Sequence, residues 1–188
     1  MEEKLLFIVA GANGSGKTTV SRNLLNDYHL EFLNADDLAR ELEREHPEKA
    51  RIRAGKLMLE RMDTLVKSGV SFALETTLAG KYLEKKIGTC RHKGYRVILL
   101  YLFLDSPQVA INRIRTRVKN GGHSIPPEDV KRRFHRSMKN FWFCYRDLVD
   151  EWILYYNGED MIVQVATGWQ GTIEVNNEIF FKSFRKGL

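Results

Sequence analysis

The chain has 188 residues, 43% of them hydrophobic and 29% charged, which suits a single globular domain over 1–188 with a real buried core. Thirty basic residues against 24 acidic ones leave a formal charge of +6, which favours an anionic partner or a mildly basic surface. Cys90 and Cys144 form no CxxC pair, which argues against a disulfide framework or a cysteine-built metal site, and no apolar run is long enough for a signal peptide or a membrane span, so a cytoplasmic protein is expected.

Leu5–Ala10 is a continuous apolar run closed by Gly11, the pattern of a central parallel strand buried on both faces. A helix should follow over 16–26, then a short strand at 31–34 and a helix over 37–45 stopped by His46-Pro47. Helical spacing of Ile52, Leu57, Met62 and Leu65 predicts a helix over 49–68, ended by Gly69. A third strand spans 70–74 and leads into Glu75-Thr76-Thr77. A helix over 81–93 closes at Gly94, and the apolar stretch 95–104 is a fourth strand ending at Asp105. Ser106-Pro107 reads as a cap and first turn for a helix reaching about Lys119. After the loop 120–127 comes a helix over 128–148, then a fifth strand at 152–156. The tail, about 159–188, has β-like stretches at 161–166, 172–175 and 178–184, which predict an antiparallel meander or an edge addition. Strands alternating with helices predict an α/β fold with a mainly parallel five-stranded sheet flanked by helices, a helical lid at about 113–136 and a small C-terminal β extension.

Gly11-Ala12-Asn13-Gly14-Ser15-Gly16-Lys17-Thr18 fits G-x-x-x-x-G-K-[ST] between a strand and a helix, the pattern of a P-loop NTPase. Glycines let consecutive N–H groups turn inward, and the following helix adds the positive end of its dipole. Gly11, Ala12, Asn13, Gly14, Ser15, Gly16, Lys17, Thr18 and Thr19 are therefore the expected binding residues for ATP or GTP. Lys17 would lie against the terminal phosphates, and Thr18 would offer its hydroxyl to Mg²⁺. The motif names the ligand class and leaves the reaction open.

Phosphoryl transfer to an alcohol needs a group that takes the hydroxyl proton. Asp36 follows the second strand at the ligand-binding edge of the sheet and is the candidate base; Asp36 or Asp37 could equally cap the next helix. Glu75 ends the third strand and suits Mg²⁺ or a substrate hydroxyl. Asp105 has no glutamate after it to position water and reads as structural. Arg113, Arg115, Arg117, Lys119, Lys131, Arg132, Arg133 and Arg136 crowd two helices joined by Gly121-Gly122-His123, a basic lid or else a solvated or nucleic-acid-binding face.

Together these pieces resemble the zeta-toxin-like family of P-loop kinases, and more loosely the nucleoside monophosphate kinases. The matching stretches are GANGSGKTT, FLNADDLAR, SFALETTLAG and RVKNGGHSIPPEDVKRRFHRS, between Gly11 and Ser137. The resemblance implies transfer of a phosphoryl group from ATP or GTP to a UDP-linked amino sugar, typically UDP-N-acetylglucosamine, with a protein antitoxin as partner. It implies Asp36 as base, Lys17, Arg117 and Arg133 as the other catalytic groups, and Thr18 and Glu75 at Mg²⁺. Glu75, Thr76, Thr77, Arg113 and Arg132 would join Asp36 around the substrate.

Two other functions fit parts of the pattern. A nucleoside or polynucleotide kinase would use the basic lid with Phe134, Phe141, Trp142 and Phe143, although helical spacing favours those rings as core. A nucleotide-binding ATPase without an acceptor lacks support, since no LSGGQ-like stretch is present.

Overall fold

Strand β1 (Lys4–Gly11) is apolar along its length because it runs through the middle of a sheet with cover on both sides. In this computed structural model, which describes residues 3–28, 30–122, 124–158 and 161–188, β1 pairs in parallel with β3 (Phe72–Thr76) and β4 (Tyr95–Phe103). Leu6, Ile8 and Ala10 face the larger core layer, while Val9 faces the other side with Leu100, Leu102 and Val20. Val20 comes from α1 (Lys17–Tyr28), which follows the loop after β1.

Five strands are parallel, as expected: β2 (Glu31–Asn34) pairs with β3, and β4 pairs with β5 (Glu151–Asn157). The sheet does not stop at five. β6 (Ile162–Trp169) pairs antiparallel with β5, and β7 (Thr172–Val175) pairs antiparallel with β6, giving seven strands in the order β2-β3-β1-β4-β5-β6-β7. The β-like tail is thus an edge addition to the main sheet. Short connections explain the change of direction: β5 reaches β6 through a few residues, too few for the crossover that a parallel partner requires.

Helices α2 (Ala35–Leu42), α3 (Arg51–Ser68) and α4 (Leu83–His92) fall close to their predicted places. Gly69 ends α3 in the left-handed region, φ 71°, as a C-terminal glycine should. α5 (Pro107–Lys119) is capped by Ser106, which accepts from the Val109 N–H, and packs against α6 (Pro127–Asn140) to form the basic hairpin. The single helix expected over 128–148 ends at Asn140 and passes into a π-helical turn, Phe141–Tyr145. That turn carries Phe141, Trp142 and Tyr145 into the core and leaves Phe143 at 67% exposure.

The segment expected as a third tail strand is a helix instead, α7 (Glu178–Lys186). Asn177 caps it by accepting from the Phe180 N–H at 3.1 Å, Glu178 sits in the first turn, and Arg185 and Lys186 sit in the last. Phe180 and Phe184, four apart, share the buried side. Phe184 is fully buried, with ring centroids of Phe103, Trp142, Phe141 and Tyr101 at 5.1, 5.7, 5.9 and 6.3 Å.

Phe184→Ala should therefore lower stability by about 3–5 kcal/mol, while Phe143→Ala should change it by about 0.5 kcal/mol or less. Urea unfolding of the two variants tests this contrast; similar losses for both would contradict the packing described.

Candidate active site

The loop between β1 and α1 closes tightly, with the Ser15 N–H donating to the Ala12 carbonyl at 3.1 Å. Gly11 has φ 146°, and a Cβ there would stand 2.3 Å from the Leu102 carbonyl of β4, so glycine lets the loop leave a sheet that is already filled. Lys17 turns back over the loop, only 7% exposed, and its Nζ donates to the Ala12 carbonyl at 2.9 Å. Two buried side-chain oxygens in the same loop, Asn13 Oδ1 and Ser15 Oγ, have no hydrogen-bond partner among the described residues. A cradle with a buried ammonium and unsatisfied polar atoms fits an anionic, hydrogen-bonding ligand.

Glu75 is brought beside this loop by register: β3 lies next to β1, with Val9 opposite Glu75. The Thr18 hydroxyl lies 3.2 and 3.4 Å from the two Glu75 carboxylate oxygens, and the Ser21 hydroxyl lies 3.4 Å from one of them. Burial pushes the Glu75 carboxyl above the usual carboxylate range, opposed by Lys17. Burial likewise lowers the Lys17 ammonium, opposed by the charges of Glu75 and Asp36, while Arg117 adds to the lowering. The hydroxyl of Thr18 and the carboxylate of Glu75 form an oxygen donor pair that suits Mg²⁺, which takes one or two protein ligands and completes its shell with phosphate and water.

Asp36 stands in the first turn of α2, and neither aspartate is the cap. Asn34 caps the helix, its Oδ1 accepting from the Asp36 N–H at 2.8 Å. Asp37 pairs with Arg40. The Asp36 side chain lines a cavity of about 260 Å³ together with Asn13, Gly14, Gly16, Lys17, Thr18, Thr19, Asn34, Arg40, Glu75, Arg113, Ile114 and Arg117. Sequence reasoning passed over Arg40, although it lies four residues after Asp36 and so on the same helix face.

The remaining expected residues lie outside that lining. Thr76 is 6% exposed; its hydroxyl accepts from the Leu78 N–H at 3.2 Å and bonds the Tyr82 hydroxyl at 3.1 Å. The Thr77 hydroxyl accepts from the Ala79 N–H at 3.4 Å. These bonds shape a turn in which Leu78 has φ 52°, with its carbonyl held by the Asn140 side chain. Both hydroxyls are thus engaged in this turn. Arg132 pairs with Asp129 at 2.6 Å on α6, and neither it nor Arg133 lines the cavity. Asp105 accepts from the Tyr156 hydroxyl at 2.7 Å, a structural role. His123 lies outside the described residues.

Residues 6–141 match the family described as AAA domain. The chain belongs to that family. The chain is also 31% identical over 134 residues to a protein of Haemophilus influenzae described as uncharacterized, an alignment covering 71% of this chain and 94% of that protein. Its fold is shared with AvrRxo1-ORF1 as crystallised with AvrRxo1-ORF2 and ATP: TM-score 0.78 and 18% identity over 97% of this chain. The chain spans 63% of the length of that AvrRxo1 chain. A structure from the PezAT chromosomal toxin–antitoxin system of Streptococcus pneumoniae shares it as well, with TM-score 0.67 and 16% identity over 100% of this chain and 85% of that one. The fold is thus a P-loop NTPase-like α/β fold with a mixed sheet flanked by helices. The AAA-domain match ends at Phe141, so β5, β6, β7 and α7 lie beyond it.

Lys17→Met should weaken Mg·ATP binding by about 2–5 kcal/mol, because a triphosphate would then meet the cradle without its buried cation. Isothermal titration of the folded variant measures this; an unchanged affinity would remove Lys17 from the phosphate site.

Proposed function

We propose that the protein is a small-molecule kinase that transfers the γ-phosphoryl group of ATP or GTP to a hydroxyl of an anionic acceptor. The observation that carries this reading is that Asp36 and Lys17 line one cavity, close enough for the aspartate's charge to act on the ammonium. A nucleotide-only site needs the lysine; a carboxylate facing it supplies what an acceptor alcohol needs.

In this mechanism the loop N–H groups and Lys17 bind the triphosphate and orient its end toward Asp36. Thr18 and Glu75 would hold Mg²⁺, which when bound neutralises charge on the phosphate oxygens. Asp36 accepts the acceptor's hydroxyl proton as the new P–O bond forms and the bond from the γ-phosphorus to the β–γ bridging oxygen breaks, so that the nucleoside diphosphate leaves. Arg117, and Arg40 beside Asp36, stabilise negative charge on the transferring group or on the acceptor. The α5–α6 hairpin acts as the lid, and its movement would be needed for Arg133 or Arg132 to reach the site.

The acceptor class we favour is a UDP-linked sugar such as UDP-N-acetylglucosamine, and the partner class a protein antitoxin. Support comes from the resemblance of the loop, Asp36 and ETT stretches to zeta toxins and from a fold shared with a toxin–antitoxin component. The polynucleotide reading keeps one of its four rings, Phe143, at the surface, since Phe134, Phe141 and Trp142 are buried.

Incubation with γ-labelled ATP or GTP and a panel of sugar nucleotides, nucleosides and oligonucleotides should label a sugar nucleotide. Asp36→Asn should bind nucleotide normally yet lose transfer by about 10²–10⁴-fold. Undiminished turnover in that variant would eliminate Asp36 as base, and label on oligonucleotides alone would redirect the assignment to nucleic acid.

A further inference from the structure

We propose that Asn157, the last residue of β5, is a positioning residue that aims the phosphate loop, and that Arg113 holds it in place. The inference rests on the reading of that loop as a triphosphate site.

Asn157 Nδ2 donates to the Ser15 carbonyl at 2.8 Å, across 142 residues of chain. The Ser15 carbonyl and the Gly16 N–H belong to one rigid peptide plane and point in opposite directions. Holding the carbonyl outward toward β5 therefore turns the Gly16 N–H the other way, and Gly16 lines the cavity. A free glycine at φ 87° could rotate this plane at little cost; the amide of Asn157 fixes it. The fit is close enough that a Cβ on residue 16 would stand 2.1 Å from Asn157 Nδ2. Glycine at this position thus serves the approach of Asn157 as well as the approach of a phosphate.

The strand end is itself clasped. The Arg113 guanidinium on α5 donates to the carbonyl of Asn157 at 3.1 Å and to that of Gly158. Arg113 lines the cavity as well as holding this backbone. A continuous chain results, from the lid helix through the end of β5 to the phosphate loop. Asn157 works through the loop's geometry rather than by touching the ligand.

The test is Mg·ATP binding to the full chain, which needs no acceptor. Asn157→Ala removes the donor. Asn157→Asp keeps the shape but sets a carboxylate oxygen against the Ser15 carbonyl. Both should weaken ATP binding about ten- to a hundredfold. In wild type the Gly16 amide resonance should shift downfield when ATP is added; in both variants that shift should be lost. Arg113→Ala should weaken binding less, and its effect should be non-additive with Asn157→Ala. Should Asn157→Ala fail to fold, the isosteric Asn157→Asp carries the test. Wild-type affinity and an intact Gly16 shift in the aspartate variant would overturn the proposal. A wild-type protein that binds ATP and labels no acceptor would instead sink the kinase assignment and leave the role of Asn157 standing.

Discussion

The site depends on one electrostatic constraint: an ammonium almost fully removed from water, balanced by two carboxylates on separate elements. Lys17 is 7% exposed and donates to a single backbone carbonyl, so burial disfavours its charge. Glu75 from β3 and Asp36 from α2 oppose that cost. Neither carboxylate is near Lys17 in the chain; the order β2-β3-β1 delivers both to the carboxyl edge of the same sheet. A buried cation held at this loop offers a triphosphate its countercharge.

The extension beyond the AAA-domain match bears on this site through β5. β6 and β7 extend the sheet on the far side of β5, and α7 drives Phe184 into the ring cluster formed with Tyr101, Phe103, Phe141 and Trp142. Phe180 stacks on Tyr156 with centroids 4.1 Å apart, one residue before Asn157. The strand end that meets the phosphate loop is thereby fixed by aromatic packing from one direction and by the Arg113 clasp from the other. Rigid support of this kind suits a loop whose backbone must present its N–H groups in one orientation.

Local chemistry made much of the architecture readable in advance. The apolar run before GANGSGKT, the Ser106-Pro107 start of α5 and Gly69 after α3 each state a structural role within a few residues. The misreadings have physical causes of the same scale. The stretch at 178–184 mixes apolar and polar residues closely enough to pass for a strand, and the cap at Asn177, with Phe180 and Phe184 four apart, decides for a helix. A cap by Asp36 or Asp37 stood open beside the base reading because capping depends on which backbone N–H a side chain reaches; Asn34 makes that bond. Thr76 and Thr77 also shape a turn that the string does not show, their hydroxyls accepting from the Leu78 and Ala79 N–H groups.

The sequence alone determined the phosphate cradle, because its glycines, lysine and threonine must be contiguous to wrap one anion, and contiguity is visible in a string. It also determined the parallel α/β scaffold, through the alternation of buried runs and amphipathic stretches. Only the tertiary structure decided which distant groups meet that cradle. Asn157 reaches Ser15 across 142 residues, Arg113 turns to the backbone of β5, and Arg132 pairs on its own helix away from the cavity. Those choices follow from strand order, helix rotation and side-chain reach, which depend on packing across the whole molecule and leave no pattern within any short stretch.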